Sequence, residues 1–209
     1  MILGFIGIGN VGFAIADSLQ KKGHHIIIAH DNIGSESVLK AQSKNKNFEA
    51  LPIQEAIDKA DVLFLATPFF ENESILKPID FRSKTLVDCT NPVGKGISHG
   101  LASEMSGAEK VQEWAPTANV VKAFTIYGFE NLIDSNFSNY DTKPVMLIAG
   151  NSETAKKEVT SLTNDLGFYV KDTGSLDQAL HLEHMTLLWV KMVRRDGHHP
   201  NFVWGYLER

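Results

Sequence analysis

The residues best suited to chemistry lie at the start of the chain, where Gly7-Ile8-Gly9-Asn10-Val11-Gly12 follows an apolar run of strand length and opens a segment of helical period. In that setting the three glycines have separate tasks. Gly7 permits the tight turn, Gly9 lets the backbone N–H groups around Asn10 and Val11 approach a pyrophosphate, and Gly12 lets helix pack against strand. The phosphates then sit at the positive end of the helix. A dinucleotide is the expected ligand.

A second diagnostic follows in Ile28-Ala29-His30-Asp31-Asn32. An acidic residue about 20 positions beyond the glycines, at the end of the second strand, binds adenosine ribose hydroxyls and repels a 2′-phosphate. Asp31 holds that position and favours NAD over NADP. A turn or helix cap is its alternative role. His30 beside it is suited to stacking on adenine, to meeting a phosphate, or to plain solvation.

Apolar runs at Leu3 to Ile8, His25 to His30, Val62 to Thr67, Thr85 to Cys89, Val120 to Phe124 and Val145 to Ala149 read as strands buried on both faces. Helical segments lie between them at Val11 to Lys22, Ser35 to Ser43, Ile53 to Lys59, Leu101 to Trp114 and Glu130 to Ser135. The fold class expected is therefore α/β, a Rossmann doubly wound and mainly parallel sheet with a helical C-terminal extension. Residues 1–174 are read as the dinucleotide-binding domain with extra α/β elements: a helix from Ser152 to Leu166 and a short strand at Phe168 to Val170. Residues 175–209 are read as the extension packed on it, beginning with a long helix from Leu176 to Val193. The apolar residues of that helix, Leu180, Met185, Leu187, Leu188, Met192 and Val193, imply burial against a domain or a partner subunit.

Composition narrows the class. With 209 residues, 43% hydrophobic and 22% charged, the chain is globular rather than disordered. One cysteine excludes an internal disulfide and fits a reducing, cytoplasmic setting. The first apolar run is too short and too rich in glycine for a membrane span or a signal segment, so no membrane association is expected. A net charge of −5 offers no field for a nucleic-acid backbone.

Taken together, the glycine loop, Asp61-Val-Leu-Phe-Leu-Ala-Thr-Pro68, Leu86-Val-Asp-Cys-Thr-Asn-Pro92 and Val120-Val-Lys-Ala-Phe-Thr125 resemble the NADPH-dependent reductases of the deazaflavin coenzyme F420. This Rossmann domain is similar to those of pyrroline-5-carboxylate reductases and of the STEAP ferric reductases. Pro144 to Asn151, Asp165 to Phe168 and Leu182-Glu183 to Leu188-Trp189 extend the resemblance over nearly the whole chain. It implies that Gly7, Gly9, Asn10, Val11 and Gly12 hold the pyrophosphate, that Thr67 and Pro68 border the ribose and nicotinamide, and that Asn91 and Pro92 lie beside them. It further implies an acceptor ring against the segment from Ala123 to Gly128, where Thr125 and Ile126 lie, with Trp189 closing the pocket.

Two positions depart from that pattern. NADP-binding relatives carry Ser-Arg or Thr-Arg where this chain has His30 and Asp31, and the family's Asn in its Lys-Ala-Phe-Asn element is Thr125 here. The first departure favours NAD; the second alters a contact near the site of hydride transfer, leaving the acceptor as F420, a flavin or another small redox molecule.

Hydride transfer between two stacked rings needs little acid–base help, and no catalytic triad is visible. The expected activity is an NAD(P)-dependent oxidoreductase. Reduction of a ketone or imine would need a proton donor, for which His99, His181, His184 and Tyr127 are candidates. A sensor that binds NAD(P) without turnover is the reading from another class. No metal is expected, since His181 and His184 lack a third ligand. The aromatics Trp189, Phe202, Trp204 and Tyr206 suit either a core or a homodimer interface.

Overall fold

Alternating apolar strands and helices build the molecule, and the computed structural model describes all 209 residues. In chain order these are β1 (Ile2–Ile6), α1 (Asn10–Lys21), β2 (His25–Ala29), α2 (Glu36–Lys44), β3 (Glu49–Leu51), α3 (Ile53–Lys59) and β4 (Val62–Leu65). A single 3-10 turn leads into α4 (Asn72–Leu76), then come β5 (Thr85–Asp88), the hairpin strands β6 (Val93–Gly94) and β7 (Ser98–His99), α5 (Gly107–Trp114) and β8 (Asn119–Lys122). The chain continues through α6 (Phe129–Ile133), β9 (Val145–Gly150), α7 (Glu153–Asp165), β10 (Tyr169–Asp172) and α8 (Ala179–Val190).

Eight strands form one sheet in the order β10-β9-β8-β5-β4-β1-β2-β3. From β3 to β8 every neighbouring pair is parallel; β9 runs antiparallel to β8, and β10 returns parallel to β9. Every residue of β4 and β5 is buried, which is why these strands read as unbroken apolar runs rather than alternating ones. One apolar cluster covers one face with Ile15 and Leu19 of α1 and Val159 and Leu162 of α7; another covers the opposite face with Ala56 and Ile57 of α3 and Val111 of α5. The doubly wound, mainly parallel sheet expected from the sequence is the architecture found.

The chain crosses from β1 outward to β2 and β3, then returns to lay β4 on the other side of β1. The strand order reverses there, and the crevice beyond the C-terminal ends of β1 and β4 is where open α/β sheets take ligands. Gly7 and Thr67 flank that crevice.

Several elements differ from the sequence reading for identifiable reasons. The helix expected from Leu101 begins only at Gly107, because Ala102 and Ser103 hold positive φ angles of 54° and 61° that a helix cannot continue through. A capping box between Ser106 and Glu109 then starts it. The long C-terminal helix expected from Leu176 is present without a break but changes its hydrogen-bonding pattern at both ends: a 3-10 turn, Leu176–Gln178, leads into α8, and a π-helical turn, Lys191–Arg195, follows it. Residues 196–209 form no helix. The buried face of α8 consists of Ala179, Leu182, Glu183, Thr186 and Trp189, whereas Leu188 is exposed and Leu180, Met185 and Leu187 are half-buried. Of the apolar residues expected to be covered, Leu188 alone is exposed while the others are half-buried, Met185 packing on the core, and the polar Glu183 and Thr186 point inward.

Candidate functional site

Gly7 adopts a φ of 93°, and a Cβ there would stand 2.6 Å from the carbonyl carbon of Ala66. A Cβ on Gly12 would collide with the Gly7 carbonyl, so both glycines are demanded by the protein's own packing. Gly9 is different: a Cβ on it would meet no protein atom within 4 Å. The close approach it permits is toward something other than the chain. Helix α1 begins immediately after, with no side-chain cap, and its first bond runs from Phe13 N–H to the Gly9 carbonyl at 2.8 Å. The N–H groups of Asn10, Val11 and Gly12 therefore point out of the helix without a protein acceptor, in the arrangement that binds phosphate oxygens. An anionic pyrophosphate fits this cradle.

A cleft of about 470 Å³ opens from the loop, lined by Gly7, Gly9, His30, Asp31, Thr67 and Pro68. Asp31 uses Oδ1 to accept the backbone N–H of Ile53 at 3.1 Å. It thus opens α3 and leaves Oδ2 without a protein partner. His30 accepts the Asn32 N–H at Nδ1, which fixes the ring proton on Nε2 as a donor. Asn10 lines a neighbouring hollow with Phe13, Lys40 and Lys44, while Val11 is half-buried on α1. Asn91 and Pro92 lie outside the cleft. Pro92 is buried and its carbonyl accepts the Gly100 N–H at 2.6 Å, closing the β6–β7 hairpin. The Asn91 Oδ1 is buried with no hydrogen-bond partner.

The segment from Ala123 to Tyr127 is buried throughout. Phe124 holds a φ of 59°, a rare conformation for a bulky residue, stabilised by its N–H on the Met146 sulfur at 3.3 Å. Helix α8 lies over the segment: Thr186 donates to the Thr125 carbonyl at 2.8 Å, and the Trp189 ring packs against Gly128. Phe202 of the C-terminal tail stacks on Trp189 with centroids 6.1 Å apart, and Tyr127 donates to the Val145 and Trp204 carbonyls. The sequence reading puts an acceptor ring against this segment with Trp189 closing the pocket; the structure places Thr125 and Ile126 inside, beneath α8 and the tail. Thr125 Oγ1 and Trp189 Nε1 are buried without partners.

Sequence reasoning missed the most concentrated charge in the molecule. Asp88 and Lys122 are register partners at the ends of β5 and β8, both fully buried, with Lys122 Nζ 2.9 Å from Asp88 Oδ2. The same ammonium lies 2.9 Å from Glu183 Oε1 and 2.5 Å from the Thr90 carbonyl, so all three of its protons are used. Glu183 also accepts the N–H groups of Gly107 and Ala108 at the start of α5 and contacts His99 Nε2 at 2.9 Å. Burial works against the Lys122 ammonium, but the two carboxylates outweigh it and hold its pKa above the ordinary lysine value. Burial likewise pushes Glu183 up, and Lys122 with the Gly107 N–H overcomes this to leave its carboxyl below the usual range. Ionisable residues at the ends of apolar strand runs were the available signal, since such groups are almost never fully buried unless paired.

The other candidates are placed plainly. His99 is buried against Glu183, His184 contacts the Ser103 hydroxyl at 3.0 Å, and His181 is exposed on α8. Cys89 is buried, and burial followed by the nearby Asp88 charge pushes its thiol well above the ordinary value, the state of an inert packing residue.

Comparison with known proteins agrees with this geometry. Residues 2–92, from β1 through Pro92, match the family described as NADP oxidoreductase coenzyme F420-dependent. The chain is 28% identical over 202 residues to the F420-dependent NADP reductase of Methanocaldococcus jannaschii, covering 88% of each protein. It is 28% identical over 187 residues to the metalloreductase STEAP3 of Rattus norvegicus, where 88% of this chain spans only 36% of that protein. In fold it is similar to an Arthrobacter sp. FB24 protein described as an F420-dependent NADP-reductase, with a TM-score of 0.81, 21% identity and 99% coverage of both chains. The protein is a Rossmann-fold NAD(P)-dependent oxidoreductase related to the F420-dependent NADP oxidoreductases.

Proposed function

We propose that this chain transfers hydride between a nicotinamide dinucleotide lodged in the β1–β4 crevice and a small acceptor of flavin or deazaflavin type, F420 included. The observation that carries the reading is the combination at the glycine loop: open space at Gly9 together with three helix N–H groups that have no protein acceptor. In this reading Asn10, Val11 and Gly12 bind the pyrophosphate, and His30 Nε2 and Asp31 Oδ2 face the adenosine. Thr67 and Pro68 border the nicotinamide end, with Asn91 and Pro92 behind them. The bound dinucleotide supplies the hydride chemistry; the chain orients the ring and excludes water. The acceptor approaches Thr125, Ile126 and Trp189 once the tail and α8 shift, and the unpartnered Thr125 Oγ1, Trp189 Nε1 and Asn91 Oδ1 support a polar ligand there.

Asp31 favours NAD over NADP, because its free carboxylate oxygen suits ribose hydroxyls and repels a 2′-phosphate. We assign the chain to the cytoplasm on its single cysteine, and to a homodimer on the exposed apolar side of α8 around Leu188. No helix is long and apolar enough to cross a membrane.

The test is loss of reduced-nicotinamide absorbance when NADH or NADPH meets F420, FMN, FAD or a quinone in turn. Turnover with any of them supports the reading. Tight dinucleotide binding without turnover on the panel would replace it with a redox sensor.

A further inference from the structure

The buried charge cluster is joined to the dinucleotide cleft by a chain of hydrogen bonds whose direction is forced. Asp88 is ionised against Lys122 and can only accept. The Thr90 hydroxyl, 2.6 Å from Asp88 Oδ1, must therefore donate to it. With its proton committed, Thr90 Oγ1 accepts from Asn72 Nδ2 at 3.3 Å, which fixes the Asn72 amide with Oδ1 turned toward Thr67. Thr67 lies 2.5 Å from that oxygen and donates in turn. Every donor points inward, toward the carboxylate. The hydroxyl of Thr67, which lines the cleft, is left with lone pairs alone to offer a ligand.

The charges behind this chain do not cancel. His99 accepts the N–H groups of Leu101 and Ser103 at Nδ1, so its proton sits on Nε2 and the ring is neutral toward Glu183. Asp88 and Glu183 together then outnumber Lys122 by one negative charge. Asn72 is wholly buried and Thr90 nearly so, and in such surroundings a hydrogen-bonded chain polarises cooperatively and passes that charge outward.

We propose that the cluster of Asp88, Lys122 and Glu183, acting through Thr90, Asn72 and Thr67, makes the inner end of the cleft discriminate between the redox states of the dinucleotide, favouring the oxidised form. A nicotinamide ring carries a positive charge after giving up hydride and none before. A pure acceptor backed by net negative charge therefore stabilises the oxidised ligand and the charge that develops as hydride departs. This rests on the nicotinamide reading given under the proposed function. Thr67 is here a contact residue; Asp88, Lys122 and Glu183 are positioning residues that act through it.

The experiment compares NAD+, NADH and ADP-ribose affinities by calorimetry for the wild type, Thr67→Val and Asp88→Asn. ADP-ribose lacks the nicotinamide and reports on the adenosine and pyrophosphate half alone. Removing the Thr67 acceptor while keeping its shape is expected to weaken NAD+ relative to NADH by about threefold to tenfold, the range of one hydrogen bond, with ADP-ribose affinity unchanged. Asp88→Asn is expected to move the ratio the same way. An unchanged ratio in a Thr67→Val protein that still binds ADP-ribose overturns the inference alone. Loss of ADP-ribose binding in both variants also overturns it, making the chain a folding scaffold. A wild type that binds none of the three ligands sinks the functional reading instead.

Discussion

Asp31 accepts the backbone N–H of Ile53 at 3.1 Å, so the one acidic residue at the end of β2 also opens the helix that follows β3. In the proposed reading a ribose and the helix compete for the residue only in part, because Ile53 takes Oδ1 and leaves Oδ2 without a protein partner. Asp31→Asn keeps an acceptor for Ile53 and removes the charge, whereas Asp31→Arg removes both. We expect Asp31→Arg to shift the NADH to NADPH affinity ratio toward NADPH by about tenfold or more, the scale of a charge-assisted hydrogen bond. Fluorescence titration with both cofactors measures it, and an unchanged ratio rejects the ribose role.

Gly9 and Gly12 separate ligand binding from folding. A methyl group at Gly9 meets no protein atom, so Gly9→Ala should leave the unfolding midpoint nearly unaltered while weakening dinucleotide binding about tenfold or more. Gly12→Ala drives into the Gly7 carbonyl and should cost about 1–3 kcal/mol of stability as well. Parallel denaturant unfolding and cofactor titration distinguish them. Equal loss of stability in both variants contradicts the assignment.

Removing Lys122 strands two carboxylates in the core. Lys122→Met should destabilise by about 3–5 kcal/mol, as breaking a buried pair does when one partner remains charged. The triple replacement Asp88→Asn, Lys122→Met, Glu183→Gln removes the charges together and should recover part of that loss. Urea unfolding of the two proteins decides the point, and a triple variant no more stable than Lys122→Met would show that the hydrogen-bond geometry matters more than the charge.

The same cluster sets a pH window. Glu183 is held below its ordinary pKa, so its stabilisation is present above about pH 4.5 and is lost as pH falls toward the depressed value. Lys122 is held above 10.5, so its contribution is present below that pH and is lost as pH rises past the raised value. Thermal unfolding between pH 3 and 7 should therefore show a steep acid limb in the wild type and a shallower one in Glu183→Gln. Equal slopes would remove Glu183 from the account of acid sensitivity.

The dinucleotide half of the molecule was legible because local signals and global fold agree there: a strand, a glycine turn that only glycine can make, a helix start and an acidic strand end all fall within about 30 residues. The half read as facing an acceptor was less so. Thr125 and Trp189 could be named from their motifs, but their burial depends on α8 crossing from the far end of the chain, a placement no spacing encodes. The inward turn of Glu183 on α8 had no signal in the apolar pattern, since its burial rests on pairing with Lys122 and two helix N–H groups. Three-residue β3 and the two-residue hairpin strands are too short to give any periodicity.

Because the second carboxylate on Lys122 arrives at position 183, a chain emerging from the ribosome carries all six strands of the parallel array before its charge cluster is complete. Until α8 follows, the Lys122 ammonium has Asp88 as its sole ionic partner, and the N–H groups of Gly107 and Ala108 lack their acceptor. The nascent Rossmann unit is then a provisional assembly, and its maturation waits on the synthesis of α8.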